Sequence, residues 1–357
     1  MSSPRPDPKT ASAAERSLWL VSGGIVLGFA SISLFMPMPD GHRIYGAIGD
    51  LLHAPLFGLL TFGLLGVIER LWPIAGWTRS LLLRTILVGA AVFIVSVGVE
   101  IAQEWFGRTG TLHDAVSNAA GISAACGLFV LWRSRSVPHG RVADSPRRRR
   151  LTALVLAGVM VSMTIGWYEP ISRLKDITDV YRKFPLLGSF ESKYELQRWH
   201  FRAVHPRRTS ESPADGKACL EMVVKGVAGE PGPDTCGTTL FELDHDWSDM
   251  AELTLSLRVD SNSPTGKSAD PVRVLIKVVD AAALDPDKDA FQAHLNLACG
   301  GWEQIKITRD DITGYFSDRV IDLSQIRYLD VFLIQPPTQS RWWLDDIRLT
   351  MREDESN

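Results

Sequence analysis

Arg147-Arg-Arg-Arg150 runs without a break into Leu151-Thr-Ala-Leu-Val-Leu-Ala-Gly-Val-Met-Val-Ser-Met-Thr-Ile-Gly-Trp167. Four cations stand against an uncharged apolar stretch, and that junction decides the architecture. A basic run in a soluble protein would point to nucleic acid. Abutting an apolar helix, it marks the cytosolic flank of a membrane span and meets anionic lipid. Upstream of this junction lie further apolar runs, and downstream lie short alternating strands.

The bilayer core is about 30 Å thick, so a helix crossing it needs about 20 apolar residues with every backbone group satisfied internally. Five segments are predicted to cross: Leu18–Met36, Ile48–Ile68, Leu81–Ile101, Ala115–Trp132 and Leu151–Trp167. The first is too long for the apolar core of a signal peptide. Met36-Pro37-Met38-Pro39-Asp40 after it offers no small-x-small cleavage site, so it is expected to be retained.

The composition is split. The chain has 357 residues, a net charge of −3 and 45% hydrophobic residues. Residues 1–169 hold 15 Lys+Arg against 10 Asp+Glu, and residues 170–357 hold 23 against 31. The cations of the first part cluster in alternate loops: Arg5, Lys9 and Arg16; Arg70, Arg79 and Arg84; Arg133, Arg135, Arg141 and Arg147 to Arg150. The opposite loops hold only Arg43 and Arg108. Cationic loops stay in the cytosol, so the N-terminus is expected inside, after five crossings the C-terminus outside, in a bacterial inner membrane. The parts are then a tail over 1–17, a four-helix domain over 18–132, a basic loop over 133–150, a fifth helix over 151–168, an amphipathic linker over 169–187 and an outer domain over 188–350, with a tail over 351–357.

Polar residues inside the apolar segments are the informative ones. Asp50 and His53 are three apart, as are Glu100 and Gln103, while Asp114 and Asn118 are four apart. Each pair shares a helix face. Arg108 lies in the short loop between. All map to the outer ends of their helices, so three carboxylates, an imidazole and a guanidinium are expected at one depth. Such groups are retained in membranes when paired or functional. They form either a structural cluster neutralised by Arg108 or a pocket for a polar group. Ser117, Gly121 and Ala125 form a small-residue stripe for close helix packing.

The ordered set Asp50-Leu-Leu-His53, Glu100-x-x-Gln103, Arg108, Asp114 and Asn118-x-x-Gly121 resembles the pattern of VanZ-like membrane proteins over residues 20–132. That resemblance implies a membrane role near the cell envelope and no particular reaction.

Beyond Trp167 the pattern becomes strand-like. Nine strands are predicted: 199–204, 218–224, 238–243, 252–259, 272–279, 291–297, 303–308, 328–334 and 342–350. Turn clusters such as Ser261-Asn-Ser-Pro-Thr-Gly266 separate them. This spacing predicts a two-sheet all-β sandwich, so the fold class is multi-domain, an all-α transmembrane bundle followed by a sandwich. Gly301-Trp302-Glu-Gln-Ile-Lys-Ile307, Asp311-Ile312, Ile321-Asp-Leu-Ser-Gln-Ile326, Leu329-Asp-Val-Phe332 and Trp343-Leu-Asp345-Asp346-Ile347 follow in order. Together they resemble the C-terminal half of galactose-binding-like jelly rolls, the fold of several carbohydrate-binding modules. The resemblance implies a glycan or lipid-linked sugar as partner besides the bilayer, and Glu191 and Asp346 as positions for a structural calcium ion. No other cofactor and no nucleic acid are expected.

Sugar sites use aromatic faces with a few hydrogen-bonding groups. Trp199, Trp247, Trp302, Trp342 and Trp343 are the candidate platforms, each competing with a core role, and Tyr315 and Phe316 are also available. Cys219 and Cys236, on consecutive predicted strands in an oxidising compartment, are the preferred disulfide pair, with Cys126 a packing residue and Cys299 free. No Gly-x-Ser-x-Gly, His-Glu-x-x-His or Walker-type loop occurs. Three functions remain open: an envelope protein with a glycan-binding outer module, a membrane enzyme or transporter acting through His53, Glu100 and Asp114, and a structural anchor.

Overall fold

The computed structural model describes residues 43–74, 79–104, 112–136, 146–226, 232–243, 245–260, 271–338 and 340–352. The first predicted crossing, 18–36, lies outside them, as does Arg108. The chain divides into two compact units, Met1–Lys175 and Asp176–Asn357.

In the first unit α1 spans Arg43–Leu71, α2 Arg79–Glu104 and α3 Leu112–Ser136, while α4 starts at Pro146. All four helices are long and apolar enough to cross a membrane. α3 is the central element. Phe57, Val92 and Ile122 form one buried cluster between the first three helices, and Leu65, Leu81 and Phe129 form the next. The predicted stripe does what small residues do. A Cβ on Gly121 would come within 1.9 Å of the Ala54 carbonyl oxygen, so α1 and α3 touch backbone to backbone there. Gly166 of α4 is also close-packed, since a Cβ there would lie 2.9 Å from the Cβ of Ala120.

α4 continues to Lys183, a 38-residue helix with Pro170 inside it. The linker expected over 169–187 is therefore helical for most of its length. A proline lacks the N–H and disturbs one turn, but it does not end a helix whose later residues are packed. Ile177 is buried and the Tyr181 ring lies edge-on to His245 at 5.2 Å, within the second unit.

The second unit is an all-β sandwich. β1 is Leu186–Gly188, β2 Trp199–Arg202, β3 Val204–Thr209, β4 Cys219–Val224, β5 Thr235–Leu240 and β6 Met250–Asp260. β7 is Val272–Asp280, β8 Phe291–Leu297, β9 Trp302–Thr308, β10 Ile326–Ile334 and β11 Arg341–Met351. A one-turn helix α5, Arg309–Thr313, follows β9 and is closed by a Thr308/Asp311 capping box. One sheet runs β3-β4-β11-β6-β9 with β1 on β11, and the other runs β2-β5-β10-β7-β8, all antiparallel. Leu220, Met222, Leu253, Leu255 and Leu344 meet Val274, Ile276, Leu329 and Val331 in one shared core.

Two strands were not legible as such. β1 is three residues long, and β3 is an edge strand, Val-His-Pro-Arg-Arg-Thr, exposed at its four middle positions. Edge strands tolerate Pro and charge because one side makes no ladder.

Candidate functional site

The bundle brings three of its expected residues into direct contact. His53 Nδ1 lies 3.1 Å from Asn118 Oδ1, and Asn118 Nδ2 donates to Glu100 Oε1 at 3.0 Å. His53 Nδ1 is also 3.5 Å from that carboxylate oxygen. An amide oxygen only accepts, so Nδ1 carries the proton and His53 donates to Asn118. An imidazole and a carboxylate thus share one amide, with Asn118 fully buried and His53 and Glu100 nearly so. Asp114, in the first turn of α3, is buried as well. Asp50 is salt-bridged at 2.6 Å to Arg173 of α4, a residue the sequence offered no reason to choose. Gln103 lies in α2 with its side chain outside the described residues. Ser117 donates to the Gly166 carbonyl at 3.1 Å and ties α3 to α4 beside the site.

A second polar cluster occupies the opposite ends of these helices. Buried Glu69 pairs with Arg133 at 2.6 Å and with Arg84 at 3.3 Å. Arg133 also donates to the Ile74 carbonyl. Both arginines read from sequence as loop charge alone. Glu69 has its needs met within the chain, whereas the His53 cluster is the one that presents several proton-bearing groups together.

The sandwich corrects the aromatic reading. Trp247 and Trp342 are fully buried, and Trp199 and Trp343 are 5% and 4% exposed. Trp342 alternates with Leu344 into the core, and Trp199 packs on Phe190 at 5.4 Å. Trp343 points the other way and is capped by the Arg258 guanidinium at 4.3 Å. Trp302 is half-buried, its indole N–H donating to the Ser212 carbonyl. None of the four buried indoles offers a free face.

The disulfide is corrected too: Cys219 and Cys236 are both free thiols. Leu220, Met222 and Val224 point into the core, so Cys219 points out of the other sheet's reach, while Cys236 points in from β5. The strands that carry them, β4 and β5, belong to opposite sheets. Of the calcium positions, Glu191 Oε1 accepts from the Lys217 and Ala218 amides, and Asp346 is ion-paired with Arg348. The described residues contain no group of three or more His, Cys, Asp or Glu set to hold a metal.

A mixed aromatic and polar surface does exist, on the outer face of the five-stranded sheet. The registers align His200, Thr239, Asp330, Lys277 and Gln292 in one row across it. The next row is Arg202, Gly237, Phe332, Leu275 and His294. Tyr328 and exposed Phe241 extend the face at one end, their rings 5.7 Å apart, with His200 at 6.4 Å from Phe241. Gly237 leaves room for the Phe332 ring: a Cβ there would lie 2.7 Å from its Cδ1. Asp330 accepts from Thr239 Oγ1 at 2.6 Å, and burial raises its carboxyl above the usual range, the Thr239 bond opposing this. Lys277 is held by Asp287. The face thus combines ring surface with donors and acceptors fixed by the strands. No single stretch of sequence shows it, because it is assembled across five strands.

No family model and no curated protein matches this chain, so the VanZ-like resemblance has no family match beside it. Among solved structures, the chain is similar to an exo-beta-agarase at 14% identity and a TM-score of 0.35, covering 47% of this chain and 25% of that one. It is similar to the family 11 carbohydrate-binding module of the Clostridium thermocellum cellulase Lic26A-Cel5E at 16% identity and a TM-score of 0.33, covering 48% of this chain and 96% of the module. A family 11 carbohydrate-binding module from Clostridium thermocellum in complex with a beta-1,3-1,4-mixed-linked tetrasaccharide gives 16% identity and a TM-score of 0.32, covering 46% of this chain and 94% of that one. This chain spans about a quarter of the agarase's length.

Proposed function

We propose that this is an integral membrane protein of the cell envelope whose sandwich is displayed outside the cell and recognises a glycan on the outer face of its five-stranded sheet. The observation that carries the reading is the row structure of that face. Phe241, Tyr328 and Phe332 supply ring surface, and His200, Arg202, Asp330 and Gln292 supply hydrogen bonds around it. Sugars present apolar CH faces and a rim of hydroxyls, and this surface has the complementary pattern. The cations Arg70, Arg79, Arg84, Arg133, Arg135 and Arg147 to Arg150 support an orientation with the Glu69 end of the bundle in the cytosol and the His53 end outside.

The test is titration of the full chain, held in lipid nanodiscs, against a panel of soluble β-glucans and galactans. Binding should occur to at least one polymer and be lost in Phe332→Ala and Asp330→Ala, while Trp302→Ala leaves it intact. A chain that binds no member of the panel, or variants that bind unchanged, removes the reading.

A second reading concerns the bundle, and the His53–Asn118–Glu100 contact favours it. That cluster accepts the polar end of a lipid or lipid-linked sugar and moves a proton there, with His53 or Glu100 as acid or base. His53→Gln and Glu100→Gln should then abolish an envelope phenotype while the protein still reaches the membrane. If only the sandwich proves necessary, the bundle is a structural anchor.

A further inference from the structure

Among the described residues from Asp176 onward, the exposed large hydrophobic side chains are Tyr181, Phe241, Leu284, Tyr315 and Val320. All five lie at one end of the sandwich. Ile326 pairs with Asp280, Leu329 with Leu240, Thr308 with Glu252 and Met351 with Met250. The loops that leave these positions carry Phe241, Leu284, Tyr315 and Val320. Trp247 N–H donating to the Leu323 carbonyl joins the two sheets at the same end. The opposite end, with Lys225 and Gly300, has no such side chains among the described residues.

This is also the end where the chain enters. Leu349 N–H donates to the Pro185 carbonyl, and the rings of Tyr181 and Phe184 lie 5.2 Å and 4.3 Å from His245. The Asp176 carboxylate is near enough to Glu195 to act on it. The helix that delivers the chain here is α4, whose uncharged apolar stretch ends at Trp167.

We infer that this end of the sandwich rests on the membrane, with Leu284 and Val320 dipping into the lipid interface and Tyr315 at headgroup level. Leu284 is 95% exposed and Val320 70%, and their loops adjoin, since Arg319 and the Asp322 N–H both donate to the Asp280 carboxylate, so the two aliphatic tips belong to one patch. The attachment is apolar and not electrostatic: in the Val320 loop region Asp310, Asp311, Asp318 and Asp322 outnumber Arg309 and Arg319, so the stretch does not attract anionic headgroups. The contact holds the sheet face at a fixed height above the lipid and leaves Lys225 and its neighbours outermost. It is independent of whether that face binds sugar.

The experiment uses the full chain with Cys126 and Cys299 changed to Ser, in nanodiscs of zwitterionic lipid. Single variants Leu284→Cys, Val320→Cys and Lys225→Cys carry an environment-sensitive fluorophore. Lipids spin-labelled at shallow depth should quench the first two and leave the third unquenched, and the quenching should persist in high salt. Equal emission at all three sites overturns the inference. Loss of quenching in salt overturns the apolar mode. Burial of positions 284 and 320 without lipid quenching, accompanied by cross-linking between copies, assigns the patch to a second copy of the chain and overturns it as well.

Discussion

The carboxyl of Asp345 shows how a single side chain ties a loop to a sheet. It is 1% exposed and accepts from the Ala214, Asp215 and Asp346 amides. Burial pushes its pKa up to about 6, against 3.8 for the free group, and the three amides pull the other way. Between those values the native state holds a proton that the unfolded chain has released. Stability is therefore highest at the acid end of this window and declines as pH rises through about 6, by at most about 3 kcal/mol. Asp345→Asn should reduce the slope of the thermal midpoint between pH 4 and 7 without abolishing it, since Asp330 and Glu195, shifted in the same direction, remain. A slope unchanged in the variant would mean that the titration resides elsewhere. The buried thiols make a parallel case. Cys219 and Cys236 are pushed up to about 11 and about 12 by burial. Thiolate is the reactive form, so neither should be alkylated in the native protein at pH 8, and both should be after denaturation. Peptide mass analysis decides this, and recovery of a Cys219–Cys236 disulfide would refute the outward direction of Cys219.

At the scale of elements, the bundle depends on helices approaching without side chains between them. Gly121→Ala forces α3 off the Ala54 carbonyl and should destabilise the bundle by about 1–3 kcal/mol, the ordinary size of an overpacking defect. Gly98→Ala, where a Cβ meets nothing within 4 Å, is the control and should be neutral or slightly stabilising. Detergent thermal melts of the two variants distinguish close packing from a general effect of helix propensity. The polar contacts read at this scale were partly legible. Spacings of three and four residues put His53, Glu100 and Asn118 on inward faces, and they do meet. Arg173 was not legible as the partner of Asp50, because it lies 123 residues away on a helix whose continuation past Pro170 depends on packing. Nor was Glu69 with its two arginines, since each looked like ordinary flanking charge.

For the whole molecule, the first compact unit carries four helices long and apolar enough to cross a membrane, and the second is a β-sandwich. The sandwich has a core of its own, to which both sheets contribute, and needs no residue before Asp176 to fill it. Residues 176–357 expressed alone should therefore be soluble, rich in β-structure by circular dichroism, and unfold in one cooperative step. A fragment that is unfolded or aggregated would show that the helix preceding it contributes to the core.

Sequence alone determined the membrane-compatible helices, the change from helical to strand patterning after Trp167, and most strands, because apolar length and alternation are local properties of the chain. It also found the indole and thiol candidates but not their directions. Which face a Trp or Cys occupies, which strands lie beside one another, and which distant arginine meets Asp50 follow from sheet assignment and register. A step of one residue reverses a side chain from core to surface, so only the assembled sheets put Trp342 inside and Phe332 beside His200's row on the outer face.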